Sequence, residues 1–321
     1  MTNSLEQIIE TLKNENNFLV TAHVDPDGDA LGSMAATGYI LKNLNKTFYF
    51  FNQSGVPNKF LWMNLPAPVL TELPEDRFDW LIVLDSGDAD RPGKAIAELI
   101  NGTKTINIDH HLGNPEFGNL NWVEPKRSSV GEMIALIARE MRINISGHLA
   151  EAVYLAIASD TGFFTYDNTT PETLEMTAEL LRNGLDAAGL THKIKSQWSL
   201  EKLHLHGRIL SKAEVHCSGK VGIMDITEQD FRETGTSIED CEGLVNYIRN
   251  ISGVKVAISI REENGGKVKF SLRSHANINV QHIASSLGGG GHKNASGGIL
   301  DMNINEARDL LLKKTCTFLT A

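Results

Sequence analysis

Cysteine is scarce in this 321-residue chain: Cys217, Cys241 and Cys316 are scattered, and no two stand at a metal-binding interval. An odd, sparse count excludes a disulfide-built scaffold and fits structural thiols in a reducing compartment. No apolar run reaches the length that spans a bilayer. Met1–Asn14 is amphipathic and lacks the basic and apolar regions of a signal peptide. The expectation is a soluble cytoplasmic protein without a membrane partner. Positive charge is also in deficit, with 30 Lys and Arg against 40 Asp and Glu and a formal net charge of -10. That excludes a protein that coats long duplex nucleic acid through a basic surface. It leaves room for a short anion in a local basic pocket. Repeats and low-complexity tracts are missing too. What remains is an ordinary globular balance, 41% hydrophobic and 22% charged, at a length that suits two domains.

Two local absences say more. No Lys or Arg occurs from Asn14 to Leu41, yet this stretch holds His23-Val24-Asp25-Pro26-Asp27-Gly28-Asp29. It follows an apolar run, Phe18–Ala22, that reads as a buried strand. It precedes Ala30–Leu44, where Leu31, Met34, Ala35, Gly38, Ile40 and Leu41 recur at helical spacing. Crowded carboxylates repel unless they are protonated or share a cation. Carboxylate oxygens and an imidazole nitrogen suit a hard or borderline divalent ion. A solvated acidic turn would share this composition, and the residues alone do not rank Asp25, Asp27 and Asp29. The second absence is of acid: no Asp or Glu occurs from Asn264 to Leu300, while Lys267, Lys269, Arg273 and Lys293 do. Within it, Gly288-Gly289-Gly290-Gly291 precede His292. Consecutive glycines let backbone N–H groups approach an anion, and Arg273 can offer phosphate a planar fork. The plainer alternative is a flexible surface loop.

Along the first half, strands and helices alternate. Strands are expected at Phe18–Ala22, Thr47–Phe51, Trp80–Leu84 and Thr105–Ile108. Ala30–Leu44, a Pro-bounded piece near Val56–Met63, and Gly93–Ile100 lie between them. This is the pattern of a mainly parallel sheet covered by helices, whose ligand groups gather at the carboxyl ends of strands. The third strand runs into Asp85 and the fourth into Asp109-His110-His111, while a helical stretch over Ala152–Ser159 ends in Asp160. Any one of these could be a cap or a turn. Together they supply ligands for two metals with one carboxylate shared. Helices are expected over Ser129–Glu140, Gly147–Ser159 and Pro171–Asn183, the last capped by Thr170 with Pro171 at its first position. A helical stretch over Leu190–Val215 is the expected connector, its His192, His204, His206 and His216 reading as solvent or interface histidines. Strands return at Lys220–Ile226, Val254–Arg261 and Lys267–Arg273, the last two joined by an Asn-Gly-Gly hairpin. Further helices are expected over Asp240–Ile251, Asn279–Leu287 and Asn305–Phe318. The fold class is α/β, with a mainly parallel N-terminal sheet flanked by helices, a smaller C-terminal α/β domain, and a cleft between. The domains are set at 1–189 and 216–321, with 190–215 connecting them.

These motifs resemble the DHH/DHHA1 phosphoesterases, closest to their NrnA-like branch, over nearly the whole chain. His23-x-x-x-Asp27-x-Asp29-x-x-Gly32-Ser33 is similar to the first family motif. Asp85 matches the second, Asp109-His110-His111 the third, and Ser159-Asp160-Thr161-Gly162 the fourth. Arg273-Ser274 and Gly288–His292 resemble the DHHA1 signature. The resemblance implies that His23 and Asp27 hold one metal and that Asp29, His110 and Asp160 hold the other. Asp85 bridges both, and Asp25 falls at a variable position outside the set. It further implies that Asp109 orients a histidine and that His111 stands beside the scissile phosphate. Arg273, Ser274, Gly288, Gly289, Gly290, Gly291 and His292 then bind the rest of the substrate. Two divalent ions are implied, manganese being usual, with a shared hydroxide attacking phosphorus. Short oligoribonucleotides and adenosine 3′,5′-bisphosphate (pAp) are the implied substrates, and a homodimer is compatible with this reading. The alternatives are hydrolysis of cyclic dinucleotides or linear pApA and, less so, of pyrophosphate or polyphosphate. From another class comes a nucleic-acid-binding module with structural metals.

Overall fold

The computed structural model describes residues 3–196, 198–241, 243–263, 265–275 and 278–320, with only the backbone described for Asn3 and His292. Two compact units divide the chain, one ending at residue 197 and the other beginning at Trp198.

The first unit runs α1 (Asn3–Asn14), β1 (Asn17–Ala22), α2 (Gly28–Asn43), β2 (Thr47–Phe51), β3 (Val69–Leu70), β4 (Trp80–Leu84), α3 (Lys94–Ile100), β5 (Lys104–Asp109) and β6 (Leu120–Val123). Then come α4 (Val130–Glu140), α5 (Gly147–Asp160), α6 (Pro171–Arg182) and α7 (Ala187–Lys195). The strands form one parallel sheet in the order β3-β2-β1-β4-β5-β6. Its central strands are buried on both faces, as near-continuous apolar runs require. Phe18, Val20, Ile82 and Leu84 join the larger core with α1, α2, α4 and α5, while Leu19, Leu81 and Val83 face a smaller one with Ile96. The piece expected near Val56–Met63 is only a single 3-10 turn over Asn58–Phe60. The edge strands β3 and β6 are short and half-buried, too weakly patterned to be read from the sequence.

The second unit contains α8 (Leu200–Leu210), β7 (Glu214–His216), β8 (Val221–Ile226), α9 (Glu228–Thr234), α10 (Leu244–Arg249), β9 (Val256–Glu263) and β10 (Lys267–Ser274). It ends with α11 (Gln281–Ser285), β11 (Gly290–His292), β12 (Ala295–Leu300) and α12 (Ile304–Thr320). Its sheet, ordered β11-β12-β10-β9-β8-β7, is antiparallel except where β8 pairs with β9. Among the described residues, no helix is long and apolar enough to cross a membrane.

Three expectations need correcting. Leu190–Val215 is not one helical stretch: α7 ends at Lys195, Ser199 caps a new helix by accepting from Lys202 N–H at 3.1 Å, and Val215 lies in β7. The apolar face of α8, Leu205 and Ile209, belongs to the core of the second unit. His206 is buried rather than solvent-facing, its Nε2 donating to the Asp240 carbonyl at 2.8 Å. The thiols are not all free either: Cys217 and Cys316 are joined as a disulfide, leaving Cys241 unbridged and buried. Standing 99 positions apart in sequence, the pair carries no local spacing signal.

Candidate metal centre

The strand order reverses between β1 and β4, because β2 lies on one side of β1 and β4 on the other. Loops leaving neighbouring strands at such a point diverge and open a crevice. The loop after β1 carries His23, the one after β4 begins with Asp85, and β5 delivers Asp109-His110-His111. Helix packing brings in the rest. A Cβ on Gly28 would lie 2.4 Å from Ser159 Oγ, and one on Gly32 would lie 2.6 Å from the Ala152 carbonyl. Only glycine lets α2 and α5 approach this closely, so Asp29 in the first turn of α2 meets Asp160 at the end of α5. Asp27 caps α2, its Oδ1 accepting from the N–H groups of Asp29 and Ala30 at 3.0 and 3.1 Å.

Both imidazoles present Nε2 to carboxylates. The ring of His23 donates Nδ1–H to the Val24 carbonyl at 2.7 Å, and that of His110 donates to the Arg127 carbonyl at 3.1 Å. A carbonyl can only accept, so each Nε2 is left to bind a proton or a metal. His23 Nε2 lies 3.8 Å from Asp27 Oδ1 and 3.7 Å from Asp85 Oδ2. His110 Nε2 lies 3.8 Å from Asp29 Oδ2, 3.6 Å from Asp85 Oδ1 and 3.4 Å from Asp160 Oδ2. His23, Asp27 and Asp85 thus form one group with metal-holding proximity, and Asp29, His110 and Asp160 form a second. A third joins Asp85, His110 and His111, and Asp25 belongs to none of the three. Asp85 turns one oxygen toward each histidine. Its φ of 51° lies in the left-handed region, costly for a residue with a side chain and frequent where a site fixes a group's aim.

The electrostatics fit cations. Burial raises the Asp85 carboxyl well above its ordinary range, and the charges of Asp29, Asp27, Asp160 and Asp109 add to this. Asp160 is pushed up to about 7 by burial and then by Asp29. Asp29 is raised too, by burial against the pull of His110, though Val130 and Gly131 N–H groups donate to it at 2.8 and 2.9 Å. For His110, desolvation opposes the proton, yet Asp29 and Asp160 raise its pKa; at His23, Asp27 outweighs desolvation in the same way. Asp27 runs opposite: its desolvation is outweighed by His23 and the cap, which bring it to about 2. A pair of divalent ions would replace the shared protons and relieve this repulsion. The donor set of oxygens with two imidazole nitrogens therefore fits the metals that the sequence resemblance implies.

Asp109 is fully buried and hydrogen-bonded on both oxygens. Oδ1 accepts from His111 Nδ1–H at 2.8 Å, while Oδ2 accepts from Gly87 N–H at 3.1 Å and from Asn114 at 2.6 Å. These bonds, with His111 foremost, hold its carboxyl below the usual range against the effect of burial. Asp109 thus orients His111 and makes no such bond to His110. Sequence reading missed several supports. Ser33 donates to Asp29 Oδ1 at 2.8 Å, and buried Glu132 binds Ser128 and Arg127, fixing the loop whose carbonyl holds His110. The i+4 spacing of Ser33 from Asp29 was a readable signal; Asn114 and Glu132 had none.

In the second unit, Arg273 and Ser274 end β10. Ser274 is buried, its hydroxyl donating to the Ile278 carbonyl at 2.7 Å and accepting from Asn294 at 2.9 Å. Arg273 is half-buried and donates to the Leu272 carbonyl at 3.1 Å. Of the four glycines, Gly289 and Gly291 are required by packing: a Cβ there would lie 2.2 Å from the Gly297 carbonyl or 2.6 Å from that of Ala295. Gly288 and Gly290 face open space. Gly290 and Gly291 are strand residues paired with β12 rather than loop. The side chain of His292 lies outside the described residues, as does Asn264 of the expected hairpin.

Residues 17–157 match the N-terminal domain of the DHH family, and residues 220–320 match the DHHA1 domain. The bifunctional oligoribonuclease and PAP phosphatase NrnA of Thermus thermophilus is 33% identical over 311 residues, 95% of this chain and 91% of that protein. The chain belongs to the DHH family. The NrnA of Bacillus subtilis, with the same description, is 27% identical over 91% of each chain. A crystal structure of an exopolyphosphatase-related protein from Bacteroides fragilis superposes with a TM-score of 0.93 at 26% identity, covering 100% of this chain and 98% of that one. The fold and the domain pair of this DHH protein are therefore those of its relatives along nearly their whole length.

Proposed function

We propose that this chain is a two-metal phosphoesterase acting on short oligoribonucleotides and on pAp. The observation that carries the reading is Asp85, whose two oxygens face two separate donor groups, Oδ2 toward His23 and Oδ1 toward His110. His23, Asp27 and Asp85 would hold one ion, and Asp29, His110, Asp160 and Asp85 the other, with manganese as the ion inferred. Such ions supply a water of lowered pKa as nucleophile and neutralise charge on the phosphate. The chain's own contribution is placement. Val24 and the Arg127 carbonyl fix the tautomers of His23 and His110. Asp109 holds His111 by Nδ1–H, so that Nε2 is the atom that can bear on a phosphate oxygen or the leaving group. The described names of the NrnA relatives support the two substrates.

Size selection follows from charge. With a net charge of -10 the chain has no basic excess with which to track a long strand. We assign catalysis to the first unit and retention of the remaining substrate to the second, with α7 going with the first and α8 with the second. Within that retention set, Ser274, Gly289 and Gly291 already have structural duties. By the DHHA1 resemblance we assign the direct contacts to Arg273, to His292 and to the open backbone at Gly288 and Gly290. The test is a substrate panel with manganese: pAp, pApA, RNA of two to five nucleotides, cyclic dinucleotides, pyrophosphate and long single-stranded DNA. Turnover of pAp and short RNA is expected. No metal-dependent turnover of any phosphoester would leave a binding module with structural metals. Preference for cyclic dinucleotides would move the substrate assignment.

A further inference from the structure

Arg91 is a cation at the edge of the acidic cluster, and among the described residues it has no carboxylate within ion-pair distance. Its side chain reaches His111, with Nη1 3.2 Å from Nε2. Its position is not accidental. Asp88 Oδ1 accepts the N–H groups of Asp90 and Arg91, each at 2.9 Å, and Val24 donates its N–H to the Arg91 carbonyl at 2.9 Å. Arg91 is therefore tied both to its own turn after β4 and to the residue that follows His23. A Cβ on Gly87 would lie 3.5 Å from both Arg91 Nη1 and His111 Cγ, so bare backbone lines the place where guanidinium and ring meet.

A guanidinium only donates, so His111 accepts at Nε2 while its Nδ1–H goes to Asp109. The ring is already held by Asp109 and needs no second prop. One imidazole nitrogen also engages only one donor of a five-donor fork. An arginine beside carboxylates is expected to pair with one. Here the turn keeps it away from them and directs it at the histidine assigned to the phosphate. We infer that Arg91 contacts the scissile phosphate, donating to its non-bridging oxygens beside His111. The planar fork matches two phosphate oxygens at once. As those oxygens gain charge in the transition state, Arg91 stabilises them beside His111. This rests on the phosphoesterase reading above.

The experiment compares wild type, Arg91→Gln, Arg91→Lys, His111→Ala and the double variant Arg91→Gln/His111→Ala, all loaded with manganese. Wild-type turnover of pAp comes first, and its absence sinks the phosphoesterase reading rather than this one. Given turnover, three further quantities are measured: manganese affinity, melting temperature, and the affinity for inorganic phosphate as a probe of the scissile group. Arg91→Gln should weaken phosphate binding roughly 10–100-fold, the range for a charge-assisted hydrogen bond at a site of this kind. Arg91→Lys should recover part of the loss. Manganese affinity should hold or improve, because a positive charge has left the neighbourhood of two cations. In the His111→Ala background the Arg91→Gln loss should persist. If it disappears there, Arg91 only positions His111 and the contact is wrong. If phosphate affinity is unchanged in Arg91→Gln itself, or falls only together with manganese affinity and melting temperature, the inference also fails.

Discussion

Near the carboxyl ends of β1, β4 and β5, Asp29, Asp85 and Asp109 are buried; hydrogen bonds from His111 and Asn114 hold Asp109 below its ordinary range, whereas Asp29, despite its bonds from Val130, Gly131 and Ser33, and Asp85 are raised by burial and by one another. Along β10 and β12 of the other unit, buried Ser274 is satisfied by Ile278 and Asn294, and the glycines stack backbone on backbone. The first arrangement is unfavourable as it stands and becomes favourable when cations enter. In the second, the buried hydroxyl and the close backbone contacts are satisfied within the chain. Unusual residues therefore have different force in the two units. A motif of mutually repelling groups points to what must be bound, whereas a motif of glycines and a buried hydroxyl is accounted for by packing before any ligand is invoked.

The sharpest way to break that contrast is at Asp85. Asp85→Asn keeps the shape of the side chain and removes the charge shared between the two donor groups. Turnover of pAp should fall by about a thousandfold or more, since charge stabilisation by such ions contributes several kcal/mol. High manganese should not restore it. Asp27→Asn leaves His23 and Asp85 in place, so high manganese should recover part of its activity. Metal-free Asp85→Asn should melt no lower than wild type, because it removes a carboxylate raised by its neighbours, whereas Asp27→Asn should melt lower, because it gives up a carboxylate that His23 and the cap of α2 hold ionised. Recovery of Asp85→Asn at high manganese without recovery of Asp27→Asn would show that Asp85 is not the shared ligand.

The second unit should respond to a different insult. Its Cys217–Cys316 bridge ties the turn after β7 to α12. Breaking it with a reductant, or by Cys316→Ser, should cost about 2–4 kcal/mol of stability, typical for a bridge closing a long loop. Calorimetric manganese affinity should not change, because every candidate ligand lies in the first unit. If reduction weakens manganese binding, the two units are not as independent as the contrast requires.

What could be read without the structure follows the same division. His23, Asp27, Asp29, Asp85, His110 and Asp160 stood out because each sits just beyond an apolar element, where periodicity places loop ends and helix ends. The structure brings all of them together. Arg91, Asn114 and the Arg127 carbonyl did not stand out, since their roles depend on how loops return across the sheet. In the second unit the acid-free run was legible but its meaning was not. β11 and β12 are glycine-rich strands without apolar alternation, so the residues between Gly290 and Leu300 read as loop. The disulfide was invisible for a related reason: nothing local links residues 99 apart.

A smaller effect probes retention. Arg273→Ala removes a guanidinium assigned to substrate away from the reacting atoms. KM for pAp should rise about tenfold, with kcat nearly kept, as for a contact made equally in ground and transition states. A fall in kcat with KM unchanged would instead move Arg273 into the chemistry and erase the division of labour between the units.

The smallest effect is a pH dependence of the metal-free protein, and its sign is fixed by the pKa directions. Asp160 rises from 3.8 to about 7 on folding, so between those values the folded chain binds a proton that the unfolded chain has lost. Stability rises with pH only where the unfolded state holds more protons. Here it holds fewer, so the contribution of Asp160 is present below pH 4 and is lost as pH climbs toward 7. Asp85 and Asp29, raised by burial and mutual repulsion, act in the same direction. So do His23 and His110, whose raised pKa values make their contribution full below 6.5 and absent once they deprotonate. Asp27, at about 2, and Asp109, also lowered, are ionised throughout and add no slope above pH 5. All sloping terms of the cluster therefore agree, and the metal-free melting temperature should drop by a few degrees between pH 5 and pH 8. Manganese should reverse the trend, because it competes with these same protons and binds more tightly as they leave. Asp160→Asn should flatten the metal-free slope. A metal-free melting temperature that climbs from pH 5 to 8 would mean that the carboxylates are not crowded as described.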